Sequence, residues 1–252
     1  MSEKKFPEEL LLNEPNRGRR LVQELYQDWG NARQNPAYYA TIGTQHEEIK
    51  SAFYRRWLEL NGQNHTHLGL DVGCRGGVLT EMVGVIRWIG VDIDPAAVEV
   101  ARERIACAEM DFTFAIDFRD ESFDAIMMTE VLEHLPYPAL TVREVHRILK
   151  NQPQSVFVGS VPLDYHLHRR WKVMRGKRLS GEQLHVHHFS FKELDQLLRF
   201  YFEKIEYLSL RGTAHRHPRW RLPYNLCVSD IAWAAAAPKL SPGRWDIRKK
   251  LY

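Results

Sequence analysis

The most constraining feature of this sequence is an apolar run that ends in an acidic residue and leads directly into a glycine-rich turn. The run ends at Asp71, and the turn contains Gly73, Gly76 and Gly77. An apolar pattern with helical spacing follows, and a second apolar run ends at Asp92. Two parallel strands joined through a helix form the β-α-β unit of nucleotide-binding sheets. The stretch therefore predicts an α/β fold with a ligand site at the tips of two neighbouring strands.

The composition of the turn suits the close approach of a ligand to the backbone. Glycine has no Cβ, so the chain can bend sharply and leave its main chain accessible. The helix that follows directs its first N–H groups into the same space. Asp92 lies about 20 residues beyond the turn, where a carboxylate can accept hydrogen bonds from both ribose hydroxyls. These features predict a ribose-containing ligand.

The spacing and charge of the turn indicate which ligand it accepts. Dinucleotide-binding turns have the order G-x-G-x-x-G, whereas here Gly73 is followed by Gly76 and Gly77. The carboxylate of Asp71 would repel a phosphate and attract a cation in a partly dry site. S-adenosylmethionine carries adenine and ribose with an ammonium and a sulfonium, but no phosphate. The pattern therefore favours S-adenosylmethionine over a nicotinamide dinucleotide.

Four segments in sequence order resemble the motifs of class I S-adenosylmethionine-dependent methyltransferases. They are residues 70–80, 91–95, 120–126 and 130–135, within a stretch of roughly 65 to 160. The resemblance implies a Rossmann-like, doubly wound α/β fold with a seven-stranded, mostly parallel sheet, N-terminal helices and an insertion after the fifth strand. It also implies an enzyme that uses S-adenosylmethionine as its cofactor.

The same resemblance identifies the residues expected to bind the cofactor. The family has an acid near the adenine amino group after the third strand, and Asp111 with Phe112 fits that place, with Asp117 as the alternative. Arg75 stands where the family usually has glycine, and its side chain either points to solvent or reaches the cofactor carboxylate. The full predicted set is Asp71, Gly73, Cys74, Arg75, Gly77, Asp92, Ile93, Asp111, Phe112, Thr129 and Glu130.

The chain is expected to divide into three parts. Residues 1–64 form a helical extension, residues 65–238 the methyltransferase domain, and residues 239–252 a tail. A basic, histidine-rich insertion of the domain covers about residues 162–190. In relatives, insertions at this point bind the substrate, so the sheet would bind the cofactor and the insertion would set specificity.

The extension is expected to contain two helices. Apolar residues recur at helical spacing from Arg19 to Trp29 and again from about Thr44 to Leu60. The second helix has an apolar face, consisting of Ile49, Phe53, Trp57 and Leu60. The two helices either cover the cofactor and substrate as a lid or only pack on the sheet edge. In the lid arrangement, Tyr38 and Tyr39 would lie near the substrate.

The remaining elements of the domain follow from apolar patterns and breaks. A buried strand from Phe123 to Thr129 places Thr129 and Glu130 at the edge where open α/β sheets bind ligands. Ser190 is expected to cap the helix that follows it. The other predicted elements are a helix at 96–105, a strand at 106–112, a helix at 139–149, a strand at 155–161, a helix at 191–200 and strands at 202–210 and 231–237.

Histidines are the candidates for a catalytic base. Methyl transfer is an in-line displacement, and an oxygen or nitrogen acceptor needs to lose a proton. Histidine titrates near neutral pH and can accept that proton. We predict His134 and His188 as the catalytic residues. The other candidates by residue type are His166, His168, His185 and His187.

A metal-dependent alternative rests on a second resemblance. Glu130, Glu133 and His134, together with His187 or His188, resemble the magnesium site of small-RNA 2′-O-methyltransferases. Two carboxylates and an imidazole could hold a hard cation against a ribose hydroxyl. Because the same Glu-Val-Leu-Glu-His-Leu run also occurs in methyltransferases without a metal, the main prediction contains none.

Composition adds little about the partner. The net charge is +3, and the three cysteines show neither metal nor disulfide spacing, so a cytoplasmic location is expected, without a membrane span. Basic segments with interleaved aromatics at 164–178 and 211–221 could bind an anionic small molecule, or RNA with Trp171 or Trp220 stacking on bases. The main prediction is an oxygen or nitrogen of a small-molecule or carbohydrate-like acceptor. RNA and a non-catalytic binding protein are the alternatives.

Overall fold

The computed structural model describes residues 6–11, 46–177, 185–212, 227–240 and 242. Within these ranges, seven strands form one sheet in the order β3-β2-β1-β4-β5-β7-β6. The strands are β1 (Leu68–Val72), β2 (Arg87–Asp92), β3 (Ala106–Glu109), β4 (Ala125–Thr129), β5 (Val156–Pro162), β6 (Phe202–Gly212) and β7 (Val228–Pro238). Strands β1 to β5 pair in parallel, and β7 lies antiparallel between β5 and β6. The predicted seven-stranded, mostly parallel Rossmann-like sheet is confirmed.

Six helices accompany the sheet in the described part of the chain. Asp94 caps α3 by accepting a hydrogen bond from the Ala96 backbone, with Pro95 in the first turn. Ser190 caps α6 by accepting from the Glu193 backbone, as predicted. The helices are α1 (His46–Leu60), α2 (Val78–Val83), α3 (Pro95–Ala101), α4 (Pro138–Ile148), α5 (Leu167–Met174) and α6 (Phe191–Tyr201). Short 3₁₀ turns lie at Glu8–Leu10 and Leu132–His134.

The core has two parts because alternate residues of each strand face opposite sides of the sheet. In β4, Ile126 and Met128 belong to one cluster, and Ala125 and Met127 belong to the other. Helices α4 and α6 pack on the first cluster, and α1 packs on the second. Helices therefore cover both faces of the sheet, and α1 is attached to it.

Most predicted boundaries are within two residues of the observed ones, and three differ by more. Strand β7 begins at Val228 instead of residue 231. The third strand ends at Glu109, because the chain turns at Asp111, whose carboxylate accepts a hydrogen bond from the Thr113 backbone. The helix predicted to reach residue 105 ends at Ala101. Leu60 is 68% exposed, so its place on the apolar face of α1 is wrong.

Several predicted features lie outside the described residues. They are the helix from Arg19 to Trp29, Tyr38, Tyr39, Trp220, most of the second basic segment and most of the C-terminal tail. The predicted division into three parts stays a prediction. No described helix combines the length and the apolar character that crossing a membrane requires.

Candidate active site

A cavity of about 600 Å³ opens at the C-terminal edge of the parallel strands. It lies beside β1, whose neighbours in the sheet are β2 and β4. Open α/β sheets bind ligands at such a point, where the strand order reverses. Small-molecule sites typically measure about 300–1,000 Å³. The cavity therefore has the place and the size of a ligand site.

The residues around the cavity form two groups. The nucleotide wall consists of the glycine turn, the tip of β2 and the segment after β3, with lining residues 71, 73–76, 78–79, 92–94, 97 and 112–113. The acceptor wall consists of the first turn of α1, the tip of β4 and a later histidine, with residues 46–50, 129–135 and His185. The nucleotide wall is local in sequence, whereas the acceptor wall joins distant segments.

The backbone of the glycine turn requires residues without side chains. Gly73 has a φ of +77°, and its N–H donates to the Val91 carbonyl oxygen over 2.8 Å. A Cβ on Gly73 would lie 2.5 Å from Val131 Cγ2. Gly77, with a φ of +73°, precedes α2, and a Cβ there would lie 3.3 Å from Ile105. Gly73 lines the cavity, whereas Gly77 supports the turn from behind.

Asp92 holds the tip of β2 against the glycine turn. Its Oδ2 accepts a hydrogen bond from the Arg75 backbone N–H at 2.8 Å, and its Oδ1 accepts from the Asp94 backbone N–H at 2.9 Å. Burial raises the pKa of Asp92 to about 6, against the lowering effect of these hydrogen bonds. The carboxylate lines the cavity and keeps lone pairs for a ligand.

Asp71 is the most deeply buried acid of the nucleotide wall, with 4% exposure. Its Oδ2 accepts a hydrogen bond of 2.5 Å from the Thr80 hydroxyl. Burial raises the pKa of Asp71 to about 7, the Thr80 bond lowers it, and the negative charge of Asp92 raises it further. A cation in the cavity would favour the ionised form, so the wall matches a ligand with a positive group.

Cys74 and Arg75 complete the turn. The sulfurs of Cys74 and Cys107 lie 3.2 Å apart in the core. The contact with Cys107 and burial raise the pKa of the Cys74 thiol. Arg75, with a left-handed φ of +51°, is half-buried and lines the cavity. Cys74 is therefore a packing residue of the wall, while Arg75 adds a positive charge beside Asp92.

The segment after β3 brings one predicted residue to the cavity. Phe112 lines it, and Thr113 lies beside Phe112. Asp111 is nearly buried and bonds to the Thr113 backbone, and neither Asp111 nor Asp117 is among the lining residues. The ring of Phe112 is thus available to a ligand in the cavity, whereas the two candidate acids, Asp111 and Asp117, do not line it.

The acceptor wall is anchored by an ion pair across the cavity edge. Lys50 of α1 donates to Glu130 Oε1 over 3.1 Å, and the Ser160 hydroxyl donates to the same oxygen over 2.5 Å. Glu130 has a left-handed φ of +54°. Burial acts to raise the pKa of Glu130, but the charge of Lys50 and the hydrogen bonds lower it overall. Glu130 is therefore a paired carboxylate.

Glu133, His134 and His185 form a compact cluster beside this pair. Their ligand atoms lie within 4.8 Å of one another, and the two imidazole rings are 4.9 Å apart. Glu133 is 1% exposed, and burial together with the negative charge of Glu130 raises its pKa well above the usual range. The cluster offers one carboxyl and two imidazoles to the cavity, a set suited to proton transfer or to a metal ion.

The structure separates the other predicted histidines from the cavity. His188 Nδ1 pairs with the buried Asp164 at 2.5 Å, and His187 Nε2 pairs with Glu193 at 2.8 Å. His166 and His168 lie in or next to α5, with their rings stacked at 6.2 Å. Among the histidines named from the sequence, His134 and His185 are the two that the described structure brings to the cavity.

Sequence reasoning missed several lining residues. Lys50, His46 and Glu47 reach the cavity because side chains of α1 contact the tip of β4, through Lys50 to Glu130 and Tyr54 to Thr129. Arg169, which pairs with Asp164, lines it from the start of α5. A lysine on an amphipathic helix is usually exposed, so no sequence signal marked Lys50.

Comparison with known proteins finds methyltransferases, both by family model and by sequence identity. A family model described as a methyltransferase domain matches residues 70–157. The ubiquinone biosynthesis O-methyltransferase of Nitrosococcus oceani is 34% identical over 202 residues, which cover 69% of this chain and 80% of that protein. The protein of the same name from Pseudomonas paraeruginosa is 32% identical over 105 residues, 36% of this chain and 43% of its own length. The match thus spans less than half of some of these relatives.

Solved structures share the fold at lower identity. A chain from the complex between the Haloferax volcanii Trm112 methyltransferase activator and its putative methyltransferase has a TM-score of 0.59 and 18% identity, covering 85% of this chain and 98% of that one. A possible histamine N-methyltransferase from Thermotoga maritima has a TM-score of 0.57 and 16% identity, covering 86% and 99%. At such identities the likeness concerns the fold.

Proposed function

Because the chain belongs to the class I S-adenosylmethionine-dependent methyltransferases, we propose that it transfers a methyl group to an oxygen atom of a small-molecule acceptor. The observation that carries the proposal is that the nucleotide wall faces a wall of ionisable side chains across one shared cavity. The names of the curated relatives, which are O-methyltransferases, support oxygen as the acceptor atom. The enzyme assignment replaces the alternative of a non-catalytic binding protein. A carbohydrate-like acceptor and a cytoplasmic location stay predictions.

The nucleotide wall fits S-adenosylmethionine by charge and by shape. Two carboxylates with raised pKa values, Asp71 and Asp92, face a cavity that a cationic ligand would complement. Gly73 is required at the cavity surface, because a Cβ there would clash with Val131 and displace the turn. Asp71 would hold the ammonium, Asp92 the ribose hydroxyls, and Phe112 would pack against adenine. Arg75 would pair with the carboxylate of the cofactor.

When bound, S-adenosylmethionine supplies an activated methyl group, whose bond to sulfur breaks with the electron pair left on sulfur as the acceptor oxygen bonds to carbon. The protein's own task is to place the acceptor and to remove its proton. His134 and His185 stand at the acceptor wall, where an imidazole can take the hydroxyl proton. The α1 helix lines the cavity on the acceptor side through His46, Glu47 and Lys50.

Titration with S-adenosylhomocysteine, the product form of the cofactor, tests the cofactor assignment. We expect saturable heat in calorimetry and a raised melting temperature, because a ligand of the folded state stabilises it. Transfer of a labelled methyl group to a panel of phenols, alcohols and amines then tests the acceptor atom. Binding without transfer to any oxygen acceptor, combined with transfer to an amine, would contradict the proposal of O-methylation.

A second candidate is the same transfer assisted by a divalent cation. The cluster of Glu133, His134 and His185 favours it, since one carboxylate and two imidazoles are a common donor set. A cation there would act as a Lewis acid toward the acceptor oxygen. The set differs from the predicted one, because Glu130 pairs with Lys50 and His188 pairs with Asp164. Activity that survives EDTA, and is unchanged on adding back magnesium or zinc, would exclude the metal.

A further inference from the structure

We propose that Lys50 is a catalytic residue whose ammonium binds the acceptor oxygen, so that the enzyme prefers acceptors whose hydroxyl ionises readily, such as phenols. The inference deepens the proposed O-methyl transfer and rests on it. It starts from the burial of Lys50, which is 5% exposed on the face of α1 that lines the cavity. Lysine is almost never buried to this degree without partners, because removing its charge from water is costly.

Within the described part of the chain, Lys50 uses one of its hydrogen-bond donors. An ammonium has three N–H donors. Among the described residues, its acceptor is Glu130 Oε1 at 3.1 Å. The remaining donors belong to a buried group at the cavity surface, where they are available to a bound oxygen. A hydroxyl or phenolate oxygen of the acceptor would complete the set, and water would take its place when no acceptor is bound.

Lys50 is held firmly in this position. Glu130, its ion-pair partner, also accepts from Ser160, and its left-handed backbone sets its direction at the end of β4. One turn later in α1, the hydroxyl of the fully buried Tyr54 lies 3.4 Å from Thr129 Oγ1. Two contacts at adjacent turns therefore fix α1 on the tip of β4. Glu130 Oε1 accepts from both Lys50 and Ser160, so this oxygen holds Lys50 in place.

The charge of Lys50 has a direct chemical consequence. A cation next to a hydroxyl lowers the hydroxyl's pKa, because it favours the anionic form. The deprotonated oxygen is the better nucleophile, and the released proton passes to water or to an imidazole of the acceptor wall. A protonated amine in the same place would be repelled. Lys50 therefore selects for oxygen acceptors and, among them, for acidic ones.

The test uses 4-nitrophenol, whose ionised form is coloured and whose single hydroxyl cannot chelate a metal. It is titrated into the complex of the protein with S-adenosylhomocysteine, in which no turnover occurs. We expect the pKa of the bound phenol to fall by about one unit or more, read as phenolate absorbance. Lys50→Met should abolish the shift, Lys50→Arg should retain most of it, and both variants should bind S-adenosylhomocysteine within about twofold of wild type.

A variant of Glu130, the ion-pair partner of Lys50, separates the effect of the Lys50 charge from a structural effect on α1. Glu130→Gln removes the anion but leaves Lys50, so the phenolate absorbance should persist or increase. If Lys50 only braced α1, Lys50→Met and Glu130→Gln would have the same effect, and the proposal would be overturned. Lys50→Gln replaces Lys50→Met if the latter fails to fold by circular dichroism.

Two further outcomes separate the role of Lys50 from the methyltransferase assignment. An unshifted pKa of bound 4-nitrophenol in the wild-type complex, or no saturable binding of it, overturns the role of Lys50 while the methyltransferase assignment stands. Failure of the wild type to bind S-adenosylhomocysteine would instead contradict the proposed function itself.

Discussion

The nucleotide wall and the acceptor wall differ in how the chain builds them. In the nucleotide wall, Asp92 reaches the backbone of Arg75, 17 residues away, and Asp71 reaches Thr80, 9 residues away. In the acceptor wall, Lys50 reaches Glu130 across 80 residues. The first wall depends on the consecutive elements β1 to β3 and the segment after β3, whereas the second depends on how a separate helix docks on the sheet. The chemistry of cofactor binding is therefore local, and that of acceptor binding is a product of long-range packing.

The comparison predicts that nucleotide-wall changes act mainly on cofactor affinity. Asp92→Ala should weaken S-adenosylhomocysteine binding by about 100-fold, because it removes charge-assisted hydrogen bonds worth about 1.5–3 kcal/mol each. Calorimetry measures the loss. Asp111→Ala is the control, since Asp111 is also a nearly buried acid but lies off the cavity. An equal loss in both variants would show that Asp111 is part of the cofactor site after all.

A second prediction concerns pH. Because the pKa of Asp71 is raised to about 7 and that of Asp92 to about 6, both acids gain protons as the pH falls through this range. Cofactor binding needs the ionised forms, so affinity for S-adenosylhomocysteine should fall about tenfold from about pH 8 to about pH 6.

The stability of the free protein changes with pH in the opposite direction to cofactor affinity. A raised folded-state pKa contributes stability at low pH that is lost as the pH rises through that value. Relative to Asp71→Asn, the stability of the free protein should therefore fall from about pH 4, near the pKa of an aspartate in the unfolded chain, to about pH 7, and it should level off above that pH. Chemical denaturation at each pH measures this effect. Cofactor affinity that is flat between about pH 6 and pH 8 would remove Asp71 and Asp92 from cofactor recognition.

A third prediction concerns the support of the acceptor wall. Ser190 caps α6, next to the histidine segment that contributes His185. Ser190→Ala should cost about 1 kcal/mol of unfolding free energy, measured by urea denaturation. S-adenosylhomocysteine affinity should stay unchanged, because α6 does not contribute to the nucleotide wall. Ser190→Asp, which keeps a capping oxygen, should restore the stability.

The smallest expected effect is that of Tyr54→Phe. The hydroxyl contact to Thr129 is long, at 3.4 Å, and the hydroxyl also interacts with Ser160, so its loss should cost less than about 1 kcal/mol. The variant keeps the aromatic packing of α1, and cofactor affinity should not change. A large fall in cofactor affinity would mean that α1 docking also shapes the nucleotide wall, and the distinction between the two walls would fail.

The sequence predicted the sheet and the nucleotide wall well, and the acceptor wall less well. Asp71, Gly73 and Asp92 stand where the motif places them, because glycine turns and strand-end acids are encoded by neighbouring residues. The sequence-based prediction names His188 instead of His185, since spacing alone cannot tell which member of a histidine segment faces inward. The structure directs His188 to Asp164 and His185 to the cavity.

By itself, the sequence determined a Rossmann-like sheet with a glycine turn between two carboxylates, since these depend on local periodicity and on backbone conformations of a few adjacent residues. Only the tertiary structure decided that a lysine from the N-terminal helix enters the cavity and pairs with Glu130. A helical lysine has the same local pattern whether it faces water or a buried carboxylate. The difference arises when α1 packs on the sheet, because burial of its apolar side chains fixes which way the polar ones point.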